Sequence, residues 1–145
     1  MSSSNRCPVV ILCGGRGTRL QEETEYRPKP LVHIGGLPIL WHIMKLYSVR
    51  GYKEFILCLG HKGNQIKEFF MHYDWDAFDF TLDLGTKEIT YHEKDREDWR
   101  ITFVDTGLET MTAGRVKKVE KYIDKDQFML TYGDGVTNID VEDLM

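Results

Sequence analysis

Val9-Val10-Ile11-Leu12-Cys13-Gly14-Gly15-Arg16-Gly17-Thr18-Arg19-Leu20 is the stretch whose reading decides the fold. With the two residues before it, its apolar first part reads as a buried β-strand over Cys7–Cys13. Its second half leaves that strand through Gly14, Gly15 and Gly17, with Arg16 and Arg19 crowded into the turn. Glycines there let backbone N–H groups approach a ligand with no Cβ in the way. Arg19 adds a forked, charge-assisted donor suited to phosphate oxygens. The pattern points to an anion, set against the plainer reading of a glycine turn with surface cations. Two familiar phosphate loops do not fit. The P-loop needs Gly where this chain has Arg19, and the dinucleotide fingerprint starting at Gly15 meets Leu20 in place of its last Gly.

Arg27-Pro28-Lys29-Pro30 lies just beyond. Two prolines stiffen the backbone around one lysine, which suits a rigidly presented cation more than a merely solvated one. Working outward, apolar periodicity predicts a helix over Leu37–Arg50, with Ile39, Leu40, Ile43, Met44 and Tyr47 inward and Gly51 as its stop. Glu54–Leu59 reads as a second buried strand, Gly60–Gly63 as a turn, and Asn64–Tyr73 as a helix with Ile66, Phe69 and Phe70 inward. Asp74–Trp99 is richer in acids, threonine and aromatics, and its alternation around Gly85 predicts a β-hairpin. Ile101–Val104 is a third core strand. Ala113–Ile123 reads as a helix with Val116, Val119, Tyr122 and Ile123 inward and Lys117, Lys118 and Lys121 on a solvated face. Phe128–Tyr132 is a fourth strand, ending in Gly133-Asp134-Gly135.

Strands alternating with helices imply crossovers and a mostly parallel sheet, an α/β fold whose ligands bind beyond the carboxyl ends of the strands. Gly14–Arg19 and Gly133-Asp134-Gly135 both sit there. A carboxylate such as Asp134 at that place suits Mg2+, which in turn bridges phosphates; the plainer alternative is an Asp-Gly turn.

The chain has 145 residues, which suits one domain with a core of its own. Its net charge of −4 argues against a nucleic-acid surface while leaving room for a local cationic pocket. No apolar run is long enough for a membrane span, and Met1–Arg6 lacks a signal peptide's apolar stretch, so a cytoplasmic protein is expected. Cys7, Cys13 and Cys58 are odd in number and read as reduced core residues. No zinc or histidine metal spacing is present.

Gly14-Gly15-x-Gly17-Thr18-Arg19-Leu20 followed by Pro28-Lys29-Pro30 resembles the signature of the sugar-phosphate nucleotidyltransferases, or nucleotide-sugar pyrophosphorylases. Three further stretches narrow the likeness: Ile34-Gly35-Gly36-x-Pro38-Ile39-Leu40-Trp41-His42-Ile43-Met44-Lys45, then Val104-Asp105-Thr106-Gly107-x-x-Thr110-Met111-Thr112-x-Gly114-Arg115, then Thr131-Tyr132-Gly133-Asp134-Gly135. They are similar to the branch that moves a cytidylyl group from CTP to glucose 1-phosphate. The resemblance implies a Rossmann-like fold with a small hairpin insertion near 74–99, and a homo-oligomer in the full-length form. It implies that Leu12, Cys13, Gly14, Gly15, Arg16, Gly17, Thr18 and Arg19 wrap the nucleotide. Arg19 and Lys29 would neutralise the triphosphate. Thr110 and Arg115 would meet the nucleotide toward its cytosine end, Gly133 would approach it, and Asp134 would hold Mg2+. The chain has Cys13 where the family usually has Ala, and Ala113 where it usually has Gly. It ends at Met145, whereas the family's catalytic domain continues to a second metal-binding aspartate, a second lysine and most of the sugar pocket. The expectation is that residues 1–145 form the nucleotide half of one domain and are inactive alone. A sister specificity for dTTP or UTP, and a non-catalytic nucleotide-binding subunit, stay open at this point.

Overall fold

The computed structural model describes residues 6–14, 28–60, 62–93, 96–107 and 112–133. The opening apolar run forms β1 (Val9–Leu12), buried at every position. A short 3-10 turn (Lys29–Leu31) leads to β2 (His33–Ile34) and β3 (Leu37–Pro38), a small antiparallel pair. Helix α1 (Ile39–Ser48) follows. It begins two residues later than its periodicity predicts. Pro38 caps it at φ −63, ψ 150, and a proline drives the residue before it into extended backbone. Leu40, Ile43, Met44 and Tyr47 are buried on its inner face as expected, and the chain turns at Gly51.

Strand β4 (Glu54–Leu59) matches its predicted bounds. Helix α2 (Gly63–Ala77) runs past Tyr73 through Asp74–Ala77, because nothing in those residues breaks a helix. Strands β5 (Phe80–Asp83) and β6 (Glu88–Tyr91) make the predicted hairpin. Its turn is closed by Asp83, whose Oδ1 accepts the N–H groups of Gly85 and Thr86. Then come β7 (Arg100–Asp105), α3 (Thr112–Val119), a 3-10 turn (Glu120–Tyr122) and β8 (Met129–Tyr132).

The main sheet has the order β7-β4-β1-β8, and all three pairings are parallel. Period-two alternation sorts its side chains between two cores. Val9, Ile11, Phe55 and Leu57 pack with the inner faces of α1 and α2. Val10, Leu12, Ile56 and Cys58 pack on the other face against Val119, with Val116 and Ile123 beside it. Burial on both faces is what the continuous apolar strands demand. Cys7, Cys13 and Cys58 are all buried free thiols, as the sequence predicts. Among the described residues no helix is long and apolar enough to cross a membrane.

Two readings of α3 and its extension are corrected. Tyr122 is 42% exposed rather than inward, because the helix tightens into a 3-10 turn after Val119 and rotates that ring outward. Lys118 is not simply solvated: its Nζ donates to the Thr106 carbonyl at 3.2 Å.

Candidate functional site

Every strand of the main sheet runs into glycine at its carboxyl end: Gly14 after β1, Gly60 after β4, Gly107 after β7 and Gly133 after β8. Because the strands are parallel, these ends share one edge of the sheet, the place where α/β folds bind ligands. The hydrogen-bond ladder extends slightly past the strands. Cys13 N–H donates to the Cys58 carbonyl at 2.9 Å, Thr106 N–H to Leu59 at 2.8 Å, and Gly133 N–H to Leu12 at 3.0 Å. Leu12, Cys13, Gly14 and Gly133 are thereby brought together, as the sequence predicts for the start of the phosphate loop and the glycine after the last strand. The packing between them is tight: a Cβ on Gly133 would stand 3.0 Å from Cys13 Sγ and 3.2 Å from Ile11 Cγ2.

Arg115 reaches this edge from α3 on the other side of the sheet. It is only 6% exposed. One terminal nitrogen donates to Thr106 Oγ1 at 2.7 Å and lies 3.5 Å from the Leu59 carbonyl, at the limit of hydrogen bonding. The other donates to the Gly14 carbonyl at 3.2 Å. Thr106 relays the contact, since its own hydroxyl donates to the Leu59 carbonyl at 2.9 Å. Side chains larger than glycine do not fit around this group. A Cβ on Gly14 would fall 1.9 Å from the Arg115 guanidinium, and one on Gly60 would fall 2.8 Å from the Gly14 carbonyl and 2.9 Å from that of Gly107. Beneath the guanidinium lies Cys58. Burial pushes its thiol up to about 11 despite the opposing pull of the Arg115 charge, so it stays neutral at physiological pH.

Beside Gly60 a polar cleft of about 210 Å³ opens, lined by Lys62, Gly63, Asn64, Lys67 and Asp105. Asp105 spends one oxygen on the Gly107 N–H, at 3.0 Å, which shapes the turn after β7. Lys29 sits half-buried in the 3-10 turn between Pro28 at φ −69 and the buried Pro30. The two prolines thus bracket Lys29 within a short 3-10 turn. Gly15, Arg16, Gly17, Thr18, Arg19, Thr110 and Asp134 lie outside the described residues.

Three participants escaped sequence reasoning: Gly60, Thr106 and Lys118. A glycine within two residues of the end of each core strand was the available signal for Gly60. Thr106 and Lys118 carry no such mark, since their partners are backbone carbonyls distant in the chain.

Known proteins share this sequence and fold. A Bacillus subtilis (strain 168) protein named "Probable glucose-1-phosphate cytidylyltransferase" is 53% identical over 133 residues, covering 92% of this chain and 52% of that protein. The glucose-1-phosphate cytidylyltransferase of Salmonella typhimurium (strain LT2) is 52% identical over 135 residues, with the same coverage of both chains. The chain thus spans about half the length of the curated relatives it matches. Among solved structures, HddC from Yersinia pseudotuberculosis in complex with GMP-PN superposes with a TM-score of 0.69 at 26% identity, over 95% of this chain and 52% of that one. The match to the nucleotidyl transferase family runs over residues 8–145, from the residue before β1 through every strand end described above, and the chain belongs to that family.

Proposed function

We propose that residues 1–145 are the amino-terminal, nucleotide-binding part of a single nucleotidyltransferase domain. The domain transfers a cytidylyl group from CTP to glucose 1-phosphate, giving CDP-glucose and pyrophosphate. The observation that carries this reading is identity above half with glucose-1-phosphate cytidylyltransferases over 92% of the chain. The edge where Gly14, Gly60, Gly107 and Gly133 meet supports it physically.

In the reaction a phosphate oxygen of glucose 1-phosphate attacks the α-phosphorus of CTP in line. One P–O bond forms as the bond to the β-phosphate bridge breaks, and pyrophosphate leaves. Such a transfer needs positioning and charge neutralisation more than covalent chemistry. Leu12, Cys13, Gly14, Gly15, Arg16, Gly17 and Thr18 wrap the nucleotide. Arg19 and Lys29 neutralise its phosphates. Thr110 would meet the nucleotide toward its base, and Arg115 joins the set through the carbonyl of Gly14. Gly133 approaches the nucleotide.

Asp134 is the residue that would hold Mg2+. It follows directly on Gly133, which is hydrogen-bonded to Leu12 beside the start of the phosphate loop, so a carboxylate at that position in the chain fits a cation shared with phosphate oxygens. When bound, the ion supplies charge neutralisation of the triphosphate. Among the described residues no cluster of three or more potential metal ligands is present. The protein acts in the cytoplasm, as a homo-oligomer in its full-length form, on small molecules rather than nucleic acid or membrane. The test is an assay of pyrophosphate release with CTP and glucose 1-phosphate, using the chain within its whole reading frame. Turnover supports the reading. Nucleotide binding without pyrophosphate release would favour a non-catalytic subunit.

A further inference from the structure

We infer that Arg115 is a positioning residue: its guanidinium clips the carboxyl ends of β1, β4 and β7 together, and so sets where Gly14 launches the phosphate loop, rather than selecting the base. The inference deepens the proposed nucleotide site and rests on that reading for its kinetic consequences only. Among the described residues the last lateral backbone rungs of β1, β4 and β7 are Cys13–Cys58 and Thr106–Leu59. Arg115 stands beside those rungs. Its two terminal nitrogens engage Gly14 from β1 and Thr106 from β7, and Thr106 passes the contact to Leu59 of β4. A planar fork can address oxygens on separate segments at once, and a lysine ammonium on a flexible stem cannot reproduce that geometry.

Among the described glycines, Gly14 and Gly60 are ones whose Cβ atoms would strike the guanidinium. The backbone is pared down around Arg115 from two strands, which is the packing of an internal brace. Lys118, one turn further along α3, ties the same corner from outside through the Thr106 carbonyl. Helix α3 therefore holds the end of β7 through two cations, one of which also reaches the Gly14 carbonyl. Any nucleoside triphosphate seated on the loop depends on this brace equally, whatever its base.

The test compares wild type with Arg115→Lys and Thr106→Val. Thr106→Val keeps the side-chain shape while removing the hydroxyl that receives Arg115, and it carries the test if Arg115→Lys does not fold. Hydrogen exchange without nucleotide is measured at the amides of Cys13, Gly14, Gly60 and Thr106. Affinities for CTP, UTP and dTTP with Mg2+ are measured by calorimetry. A brace predicts faster exchange at these amides, and about tenfold weaker binding of all three nucleotides, the scale of one lost charged hydrogen bond, with the CTP:UTP ratio unchanged. Unchanged exchange with a collapsed CTP:UTP ratio would overturn the inference and make Arg115 a base reader. Unchanged exchange with unchanged affinities would overturn it as well. If wild type binds no nucleotide, the proposed function fails, and the exchange measurement alone decides the brace.

Discussion

Arg115 and Gly14 lie 101 positions apart in the chain, yet a guanidinium nitrogen of one donates to the carbonyl of the other at 3.2 Å. That bond joins a helix on one face of the sheet to the first turn of the glycine-rich loop. It shows how the loop's starting point is held by a residue far from it in sequence.

Gly60→Ala is expected to lower stability by about 1–3 kcal/mol, the usual cost of overpacking. The new Cβ meets two backbone carbonyls, those of Gly14 and Gly107, which have no side-chain freedom to yield. Urea unfolding followed by circular dichroism measures the loss. A stability within about 0.5 kcal/mol of wild type, the range of ordinary surface substitutions, would show that the strand ends separate easily.

Cys58 provides a pH prediction with a definite sign. Burial raises its thiol from 9.0 in the unfolded chain to about 11 in the folded protein. The unfolded state therefore releases its proton first. The contribution of this group to stability is complete below pH 9.0 and is lost as pH rises toward about 11. Unfolding free energy measured between those limits should fall with pH more steeply in wild type than in Cys58→Ala. Equal slopes would refute the assignment. Native Cys58 should also resist iodoacetamide at pH 8, because the thiolate is the reactive form.

Much of this architecture was legible in the sequence because burial on both faces leaves unbroken apolar runs. Glu54–Leu59 and the core of β1 are found where composition puts them. Pro38 and Gly51 bracket α1 for stated stereochemical reasons. The extra turn of α2 through Asp74–Ala77 was hidden, since acids and an aromatic there fit a hairpin's composition as well as a helix. The site was half legible. Glycines and prolines advertise a loop, but the Arg115–Thr106–Leu59 relay depends on which strands become neighbours, and spacing along the chain does not carry that information.

Lys29 and Arg19 should each matter to chemistry. Lys29→Ala or Arg19→Ala, in the whole reading frame, is expected to slow turnover about 100- to 1,000-fold, the scale for removing one preorganised donor. Steady-state kinetics with CTP and glucose 1-phosphate reads the effect. Near-normal turnover in either variant would make that residue a bystander.

Strand β8 lies at one side of the described sheet with Leu130 45% and Tyr132 59% exposed. Apolar side chains on an outer strand invite association. Residues 1–145 alone are expected to self-associate, and Leu130→Lys with Tyr132→Lys to reduce it, as read by light scattering across a concentration series. A monodisperse monomer before substitution would contradict the expectation.

The edge gathered around Gly14, Gly107 and Gly133 is proposed as a nucleotide site matched to CTP. Calorimetric titration of the protein with CTP, UTP and dTTP, each with Mg2+, is the decisive measurement. CTP is expected to bind measurably, and UTP and dTTP more weakly. Equal affinity for all three would remove the cytidine assignment, and no binding of any triphosphate would contradict the site itself.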